Sequence, residues 1–370
     1  MFATAYCHAK IEKFMSENKE DFFVKGLLTW AQKAERPLPW KYIKNPYHIW
    51  LSEILLQQTR AEQGLPYYEK FVARFPTVED LANASEDEVL KHWQGLGYYA
   101  RARNLHKAAQ HITYNLQGIF PNTYEDILAL SGVGEYTAAA IASFAFNLPY
   151  AVVDGNVYRV LSRFFGIHSA IDSSQGKKEF AQLAEKLLDK ENAGYYNQAI
   201  MDFGATHCMP RQPLCNTCPL QKQCYAYQNK QIAELPFKEK KIQKKKRIFY
   251  YFVYKYDNNC IIKRRGSGDV WEGLYDFPLI EKTDLESENN IIDFAPFSAQ
   301  GNIQIVGPFK QVLTHLEIAA FFIEIQLENP LEQLDNPYIQ VTIEDLKNHY
   351  ALPKIITQYL SKQQKQSALF

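Results

Sequence analysis

The spacing of apolar residues changes near residue 240, and this change predicts two kinds of structure in one chain. From about residue 8 to 230 the spacing is helical, as with Trp50 and Ile54 at i,i+4. The later segments IFYYFVYKY and IAAFFIEIQL are β-branched and aromatic, which is typical of strands. Between them lies KEKKIQKKKR (238–247), which we interpret as a solvated linker, with a nuclear-import signal as the alternative.

Composition excludes several classes of protein. With 370 residues and 46% apolar content, the chain is neither disordered nor collagen-like, and its length suits two to three domains. No long uncharged apolar stretch and no signal peptide is recognisable, so we expect no membrane span and a cytoplasmic location, nucleoid-associated if bacterial. Net charge is zero, but residues 201–250 hold 10 basic and 3 acidic residues. Anion binding is expected near this basic middle.

Four of the six cysteines stand close together with the spacing C-x6-C-x2-C-x5-C. Cys208, Cys215, Cys218 and Cys224 provide a thiolate set that suits either zinc or a [4Fe–4S] cluster. Zinc ribbons usually carry two C-x2-C pairs and this chain has one, which favours the cluster and leaves zinc as the alternative. Arg211 lies in the intervening loop, so the metal is expected to hold that loop against phosphate.

A glycine turn separates two helical segments in LALSGVGEYTAAAIASFAF. Gly132 and Gly134 would let backbone N–H groups approach a phosphate at the start of the next helix. Such a hairpin binds the nucleic-acid backbone without reading sequence. The alternative is an ordinary corner between two helices.

Two carboxylates are candidates for acid–base work. Asp154 precedes a predicted helix and reads as its N-cap, where a carboxylate stays ionised and can stabilise a cation. Glu53 shares a helix face with Gln57, away from the apolar face, and taken alone reads as a surface residue. The adjacent amides Gln57 and Gln58 could reach base edges. Shielding of Glu53 from water by aromatic neighbours would raise its pKa, as a general acid requires.

Several long motifs occur in order and together closely resemble one family. They are PLPWKYIKNPYHIWLSEILLQQTR, GLGYYARARNLHKAA, SGVGEYTAAAIASF, VVDGNVYRVLSR, YNQAIMDFGA and the four-cysteine loop. The match covers roughly residues 20–230 and resembles the adenine DNA glycosylase (MutY) family of the helix-hairpin-helix superfamily. The tail resembles that family's Nudix-like domain.

The resemblance implies a multidomain fold. Residues 1–230 would form an all-α helix-hairpin-helix glycosylase, a six-helix barrel with a [4Fe–4S] cluster lobe at 208–224. A basic linker (231–247) and an α+β Nudix-like lesion-recognition domain (248–370) would follow.

The resemblance also implies an activity: excision of adenine opposite 8-oxoguanine or guanine in double-stranded DNA, by a base-excision repair enzyme that is expected to be a monomer. Glu53 would protonate adenine N7, and Asp154 would stabilise the sugar cation or form a covalent adduct, with Tyr136 and Asn156 in support. Residues implied to contact adenine or DNA are Arg36, Trp40 and Gln198 in the pocket, and Gln58 and Tyr98 as wedges.

Three departures from related patterns bear on the activity. The endonuclease III family has a Schiff-base lysine where this chain has Tyr136, and a phenol forms no imine, so no lyase is expected. The tail lacks the acidic REUxEE-type helix, so no pyrophosphate hydrolysis is expected. The family's Phe-Ser-His lesion loop is here Leu313-Thr314-His315, which keeps the hydroxyl and loses the aromatic ring.

Two other classes of function remain open at this point: a DNA-binding module without activity, and an electron carrier. The presence of both Glu53 and Asp154 argues against the first class. The hairpin and the cysteine spacing have no place in a small ferredoxin, which argues against the second.

Overall fold

The computed structural model describes residues 19–34, 36–41, 43–239, 243–285, 291–297, 302–329 and 334–367. It divides into two compact units. The first contains residues 1–58 and 116–240, and the second contains residues 59–115 and 241–370. In the described part of the chain, every helix is too short or too polar to cross a bilayer. These units group residues that pack together, and each combines two separate stretches of the chain. They therefore do not test the domain boundaries expected at residues 230 and 248, which stay a prediction.

The first unit is helical. Its α-helices are 19–31, Pro46–Leu56, Tyr124–Leu128, Glu135–Phe146, Gly155–Phe165, Ser174–Leu187, Ala193–Asp202 and Tyr225–Gln228. A π-helical turn, Phe203–His207, and two 3₁₀ turns, Cys215–Thr217 and Gln221–Gln223, lie among the last of these. A buried cluster that includes Phe23, Val160, Phe180 and Ile200 forms the core beneath them.

Local signals explain where the key helices of this unit begin. Asn45 caps Pro46–Leu56 by accepting hydrogen bonds from the N–H groups of Tyr47 and His48 (3.0 and 3.3 Å), and the proline occupies the first helical position. Asp154 caps Gly155–Phe165 as expected, and Gly166 ends that helix in the left-handed conformation, with φ +79°.

The second unit joins a helical segment to a mixed sheet. Its helices are Ala61–Arg74, Val78–Asn83, Glu86–Trp93, Ala100–Asn115, Ile343–His349 and Lys354–Ser367. Its strands are β1 (Lys245–Tyr256), β2 (Asn259–Arg264), β3 (Tyr275–Asp276), β4 (Leu279–Lys282), β5 (Asn302–Val312), β6 (Leu316–Gln326) and β7 (Tyr338–Thr342). The strand order is β3-β2-β1-β6-β5, with β4 paired to β1 and β7 to β2.

The change from helical to strand periodicity is confirmed. The long central strands β1 and β6 run parallel, and β5 and β6 form an antiparallel hairpin. Tyr359 of the last helix stacks on Phe322 of β6, with ring centroids 4.0 Å apart. This contact packs the Lys354–Ser367 helix against one face of the sheet.

The basic run contributes to the sheet at its C-terminal end. Lys245, Lys246 and Arg247, which were expected in a linker, begin strand β1. The charge of Arg247 is met by Asp269 at 2.6 Å and by Glu281, so the guanidinium does not oppose strand formation. Residues 240–242 of the expected linker lie outside the described residues.

Contacts within the second unit join the helical segment 59–115 to the sheet residues. Arg264 pairs with Glu86 at 2.6 Å, and the phenol of Tyr275 donates to Asp87 at 2.9 Å. The ammonium of Lys91 donates to the carbonyls of residues 347 and 350 at 2.5 and 2.9 Å. Polar groups far apart in the chain therefore form hydrogen bonds and ion pairs with each other in this unit.

Candidate functional site

The glycine hairpin is built as the sequence predicts. Gly132 adopts φ +78°, which a residue with a Cβ rarely tolerates, and the N–H of Val133 closes the turn onto the carbonyl of Leu130 at 3.1 Å. Gly134 is the N-cap of Glu135–Phe146, and a Cβ added there would meet open space. The first turn of this helix therefore presents free backbone N–H groups that an anion can approach.

Glu53 is buried, so the interpretation of this residue as a surface carboxylate is wrong. The Pro46–Leu56 helix is buried almost all round, and Glu53 is only 7% exposed. The phenol of Tyr136, 83 residues later in the chain, donates to Glu53 Oε2 at 2.8 Å. Burial raises the pKa of Glu53 to about 7, against the opposing effect of that hydrogen bond. A carboxyl group with this pKa can give up a proton near neutral pH.

Asp154 accepts three hydrogen bonds at the start of its helix. Oδ1 accepts from the N–H groups of Asn156 and Val157, both at 2.8 Å, and Oδ2 accepts from the Asn156 amide at 2.7 Å. Burial nevertheless raises the pKa of Asp154 above its ordinary value, because desolvation outweighs these hydrogen bonds and the nearby Arg159. The position at a helix N-terminus favours the ionised carboxylate, and burial opposes it.

Arg159 contacts the candidate site, although the sequence motifs did not single it out. Its guanidinium donates to Asn156 Oδ1 at 2.8 Å, to the carbonyl of Gly204 at 2.6 Å and to the carbonyl of Cys208 at 2.8 Å. It therefore orients the Asn156 amide toward Asp154 and ties the carboxylate to the cysteine loop. A charged residue among the apolar positions of VYRVLSRFF was the available signal, since buried arginines are normally paired.

The residues expected to line the adenine pocket are partly brought together. Arg36 Nη1 donates to Asp202 Oδ1 at 2.9 Å, and Gln198 Nε2 donates to the same oxygen at 3.4 Å. Lys41 forms a short ion pair with Asp202 Oδ2. Trp40 is buried beside Lys41 in the chain. Asp202 and Lys41 were missed, although Asp202 lies one turn after Gln198.

The two adjacent amides differ in surroundings. Gln57 ends the Pro46–Leu56 helix, and its Nε2 donates to Thr137 Oγ1 at 3.2 Å. Gln58 is exposed with φ +57°, a conformation that costs free energy in a residue with a Cβ and that is often found at functional sites. Its exposure suits the wedge role that the resemblance assigns.

The four cysteines line one cavity, together with Arg163, His207 and Leu214. Arg163 Nη1 lies 3.5 Å from Cys208 Sγ and also donates to the carbonyl of Met209 at 2.8 Å. Backbone N–H groups point at the sulfurs of Cys218 and Cys224. These donors fit thiolates that bind a metal centre.

The placement of the four cysteines fits a cluster of several irons better than a single metal ion. Among the residues that the structure describes, none form a group of three or more His, Cys, Asp or Glu side chains placed to hold a metal ion. A [4Fe–4S] cluster needs one thiolate at each of its irons, and the four cysteines around one cavity fit that requirement. Arg211 is exposed on the loop between Cys208 and Cys215, where it is open to phosphate.

The second unit carries the remaining predicted residues. Thr314 and His315 occupy the tip of the β5–β6 hairpin, where the N–H of Leu313 donates to the carbonyl of Leu316 at 2.8 Å. Tyr98 has φ +50° and is 47% exposed, and its phenol forms a short hydrogen bond with Thr314 Oγ1. The structure therefore brings the predicted wedge and the predicted lesion reader into contact.

Comparison with known proteins decides the family. The model for HhH-GPD superfamily base excision DNA repair proteins matches residues 51–190, and a NUDIX domain model matches residues 249–362. The adenine DNA glycosylase of Buchnera aphidicola subsp. Baizongia pistaciae is 36% identical over 304 residues, which cover 80% of this chain and 84% of that relative. The chain belongs to the adenine DNA glycosylase family.

A further relative and two solved structures are also similar to this chain. Human adenine DNA glycosylase is 41% identical over 219 residues, covering 57% of this chain and 40% of the human protein. A thermostable thymine-DNA glycosylase structure matches with a TM-score of 0.54 and 33% identity, over 58% of this chain and 99% of that one. An endonuclease III–DNA complex matches at 0.50 with 23% identity, over 57% and 95% of the two chains, and this shows the fold alone.

The predicted fold class is confirmed for this family member: a helix-hairpin-helix glycosylase part followed by a Nudix-like part with a mixed sheet. The chain is a DNA glycosylase of base excision repair. The roles of individual residues, carried over from the resemblance, stay predictions.

Proposed function

We propose that this glycosylase removes adenine from double-stranded DNA where it is paired with 8-oxoguanine or guanine, by hydrolysing the bond between the base and its sugar. The observation that carries the proposal is the buried Glu53 carboxyl, with a pKa of about 7 and a hydrogen bond from Tyr136. The base must first leave the duplex stack, at a few kcal/mol, which is lower for a mispair.

Glu53 supplies the proton that makes adenine a leaving group. Without protonation, adenine would have to leave as an anion, which is a poor leaving group. Protonation at N7 lets it depart as a neutral base. A carboxyl group with a pKa near the working pH is both protonated often enough and acidic enough for this transfer. Tyr136 holds Glu53 in one orientation, because its phenol donates to a single carboxylate oxygen.

Asp154 faces the positive charge that develops on the sugar. A carboxylate has about four lone-pair directions, and three are taken by Asn156 and Val157. The direction left over is on Oδ2, so this oxygen is the atom that would stabilise the cation or bond to the sugar carbon before water replaces it. Asn156 keeps the carboxylate in place through its amide.

The reaction ends at an intact abasic strand. A lyase of the related type needs an amine that forms an imine with the opened sugar. Tyr136 occupies that position, and its phenol is committed to Glu53. We therefore expect a monofunctional enzyme. We also propose that it acts as a monomer.

The cysteine lobe holds DNA and does not take part in bond breaking. Cys208, Cys215, Cys218 and Cys224 would hold a [4Fe–4S] cluster, which when bound supplies a rigid cross-link for the loop that carries Arg211. Arg211 contacts phosphate from this loop, and Gly132 and Gly134 offer backbone N–H groups to a second phosphate. In the other unit, Thr314 offers a hydroxyl to the oxidised edge of the opposite base.

Single-turnover assays on duplexes with adenine opposite 8-oxoguanine, with and without alkali, test the proposal. We expect excision with strand breakage only after alkali. Glu53→Gln should reduce the rate by about 10²–10⁴-fold, the usual contribution of a general acid, while mispair binding persists. Near wild-type excision by Glu53→Gln would show that another group donates the proton.

A further inference from the structure

A histidine lines the cavity of the four cysteines. His207 ends the π-helical turn Phe203–His207 and directly precedes Cys208 in the chain. Its ring stacks on Phe203 with centroids 5.0 Å apart and meets Trp30 edge-on at 5.9 Å. His207 is only 8% exposed, so these aromatic contacts hold the ring in one orientation. Such π-helical turns are frequent at functional sites.

The two ring nitrogens of His207 have different surroundings. One of them is hydrogen-bonded to the backbone carbonyl of Leu214, whose own N–H donates to the carbonyl of His207 at 3.0 Å. Nε2 is buried, and no residue that the structure describes gives it a hydrogen-bond partner. The nitrogen bonded to Leu214 is therefore Nδ1. A neutral imidazole carries one N–H, so Nδ1 holds the hydrogen and Nε2 holds an unshared lone pair.

A buried lone pair of this kind is unfavourable unless something binds it. A neutral imidazole nitrogen is the commonest metal ligand that proteins offer. A histidine that binds metal almost always donates its other N–H to a carbonyl or carboxylate, which fixes the tautomer. His207 has this arrangement, with Nδ1 directed at Leu214 and Nε2 unpaired beside four thiols.

Cys208 has different surroundings from the other three cysteines. It stands apart in the chain, because six residues separate it from Cys215. Its Sγ lies 3.5 Å from Arg163 Nη1, so a guanidinium can donate to this sulfur. A cation beside a thiolate stabilises the thiolate when it is not bound to metal. The Cys208 thiolate can therefore leave an iron at low cost, and His207 is its neighbour.

We propose that His207 is a reserve ligand of the [4Fe–4S] cluster, whose Nε2 binds the iron of Cys208 when that thiolate leaves. This inference rests on the cluster, which is part of the proposed function. In the exchange, the Fe–S bond to Cys208 breaks and the sulfur keeps both electrons as a thiolate beside Arg163. The Nε2 lone pair forms the new Fe–N bond, so nothing is oxidised or reduced.

The experiment compares iron retention in Cys208→Ala with retention in Cys208→Ala combined with His207→Phe, both as the full chain. Phe keeps an aromatic ring against Phe203 and has no lone pair. Cys208→Ala should keep its iron. The double variant should release iron to a chelator at least about 10-fold faster, because loss of a group that only orients a metal ligand already costs about 10–100-fold in affinity.

Spectroscopy gives a readout that a structural role of the ring would not produce. In Cys208→Ala, pulsed EPR of a paramagnetic state of the cluster should show coupling to a nitrogen. That coupling should change when histidine is labelled with ¹⁵N and disappear with His207→Phe. The reduction potential should also rise above that of wild type, because histidine in place of cysteine makes a cluster less negative. Cys208→Ser keeps the size of the thiol and repeats the comparison should the alanine variant fail to fold.

Two further variants keep the test decisive. His168→Phe is the matched control, because His168 is exposed in the same unit and packs edge-on against Tyr225. Added to Cys208→Ala, it should not change iron release. His207→Phe alone should keep the iron of wild type, because all four thiolates remain, and loss of iron there would overturn the inference.

The inference and the proposed cluster fail in different ways. Equal iron release from Cys208→Ala with and without His207→Phe would overturn the role of His207 and leave the cluster in place. Wild-type protein that contains no iron would overturn the proposed cluster itself.

Discussion

The phenol of Tyr98 is hydrogen-bonded to the hydroxyl of Thr314, although 216 positions separate them in the chain. Tyr98 follows Gly97 in a loop. Trp93 Nε1 and Arg101 both donate hydrogen bonds to the carbonyl of Gly97 and so fix this loop. Thr314 lies at the tip of the β5–β6 hairpin. The exposed tyrosine and the hairpin tip are therefore a single preassembled surface in this unit.

We expect this hydrogen bond to link duplex wedging to recognition of the opposite base. Thr314→Val removes the hydroxyl and keeps the shape, so excision opposite 8-oxoguanine should slow relative to guanine. One good hydrogen bond to a base is worth about 1–3 kcal/mol of discrimination. Tyr98→Phe should lower the same preference by a smaller factor, because only the orientation of Thr314 is lost. Single-turnover rates on both pairs measure the preference.

Tyr114→Phe is the matched control for that measurement. Tyr114 is exposed in the same unit, and its phenol donates to Asn83 at 2.8 Å. Its loss should leave the preference unchanged. If Thr314→Val also left it unchanged, the lesion would be read elsewhere. Point variants suit this question better than removal of residues 241–370, because residues 59–115 pack with them.

The buried Glu53 carboxyl should lower stability at alkaline pH. Its pKa is about 7 in the folded protein and near the ordinary 4.5 when unfolded. Between these values the folded state binds more protons than the unfolded state, so stability falls as pH rises through this interval. Glu53→Gln avoids this loss and should raise the free energy of unfolding at pH 8 by on the order of 3 kcal/mol. At pH 5 the difference should be small.

Denaturant melts of both proteins at pH 5 and pH 8 check that expectation. Glu185→Gln, an exposed residue, should show no such dependence on pH. Equal stabilisation by Glu53→Gln at both pH values would mean that ionisation of Glu53 does not destabilise the folded protein.

Activity should depend on the same proton. In the proposed mechanism Glu53 acts in its protonated form, so kcat/KM should fall as pH rises above about 7. The Tyr136 phenol stabilises the ionised carboxylate, which lowers the pKa of Glu53. Tyr136→Phe removes that effect, so the alkaline limb should move to higher pH, whatever happens to the maximal rate. A limb that moves to lower pH would contradict the assignment of Glu53 as the acid.

Arg159 should couple the cysteine loop to the catalytic carboxylate. Arg159→Lys cannot reach Asn156, Gly204 and Cys208 together, because a single ammonium replaces the planar guanidinium. Losing hydrogen bonds to a charged group should reduce the excision rate by about 10- to 100-fold. Arg74→Lys, at an exposed pair with Glu88, is the control for the same exchange. Full activity of Arg159→Lys at its normal melting temperature would exclude the coupling.

Arg211 should act on DNA affinity alone. Arg211 is exposed on the cysteine loop, so Arg211→Ala should weaken DNA binding equally for all sequences. The slope of the logarithm of the binding constant against the logarithm of the salt concentration should decrease by about one phosphate contact. Iron and zinc analysis of the same preparations identifies the metal centre. A protein with one zinc and no iron would overturn the [4Fe–4S] proposal, and an unchanged salt slope would overturn the phosphate contact.

Features whose cause lies within a few residues could be predicted from the sequence. Asp154 caps its helix because its own carboxylate reaches the next two N–H groups, and Gly132 turns because it lacks a Cβ. The alternation of side chains in β1 and β6 is likewise local. The motifs and their order along the chain also indicate the family.

Features that depend on distant residues were decided by the tertiary structure alone. The periodicity of its helix placed Glu53 at the surface, but helices from elsewhere in the chain cover that face, and the resulting desolvation raises its pKa. The contacts of Arg159 with Cys208, of Gln198 with Asp202 beside Arg36, and of Tyr98 with Thr314 follow the same rule. The sequence determines which donor and acceptor atoms each residue carries. Packing determines which partners those atoms contact and how far they are shielded from water.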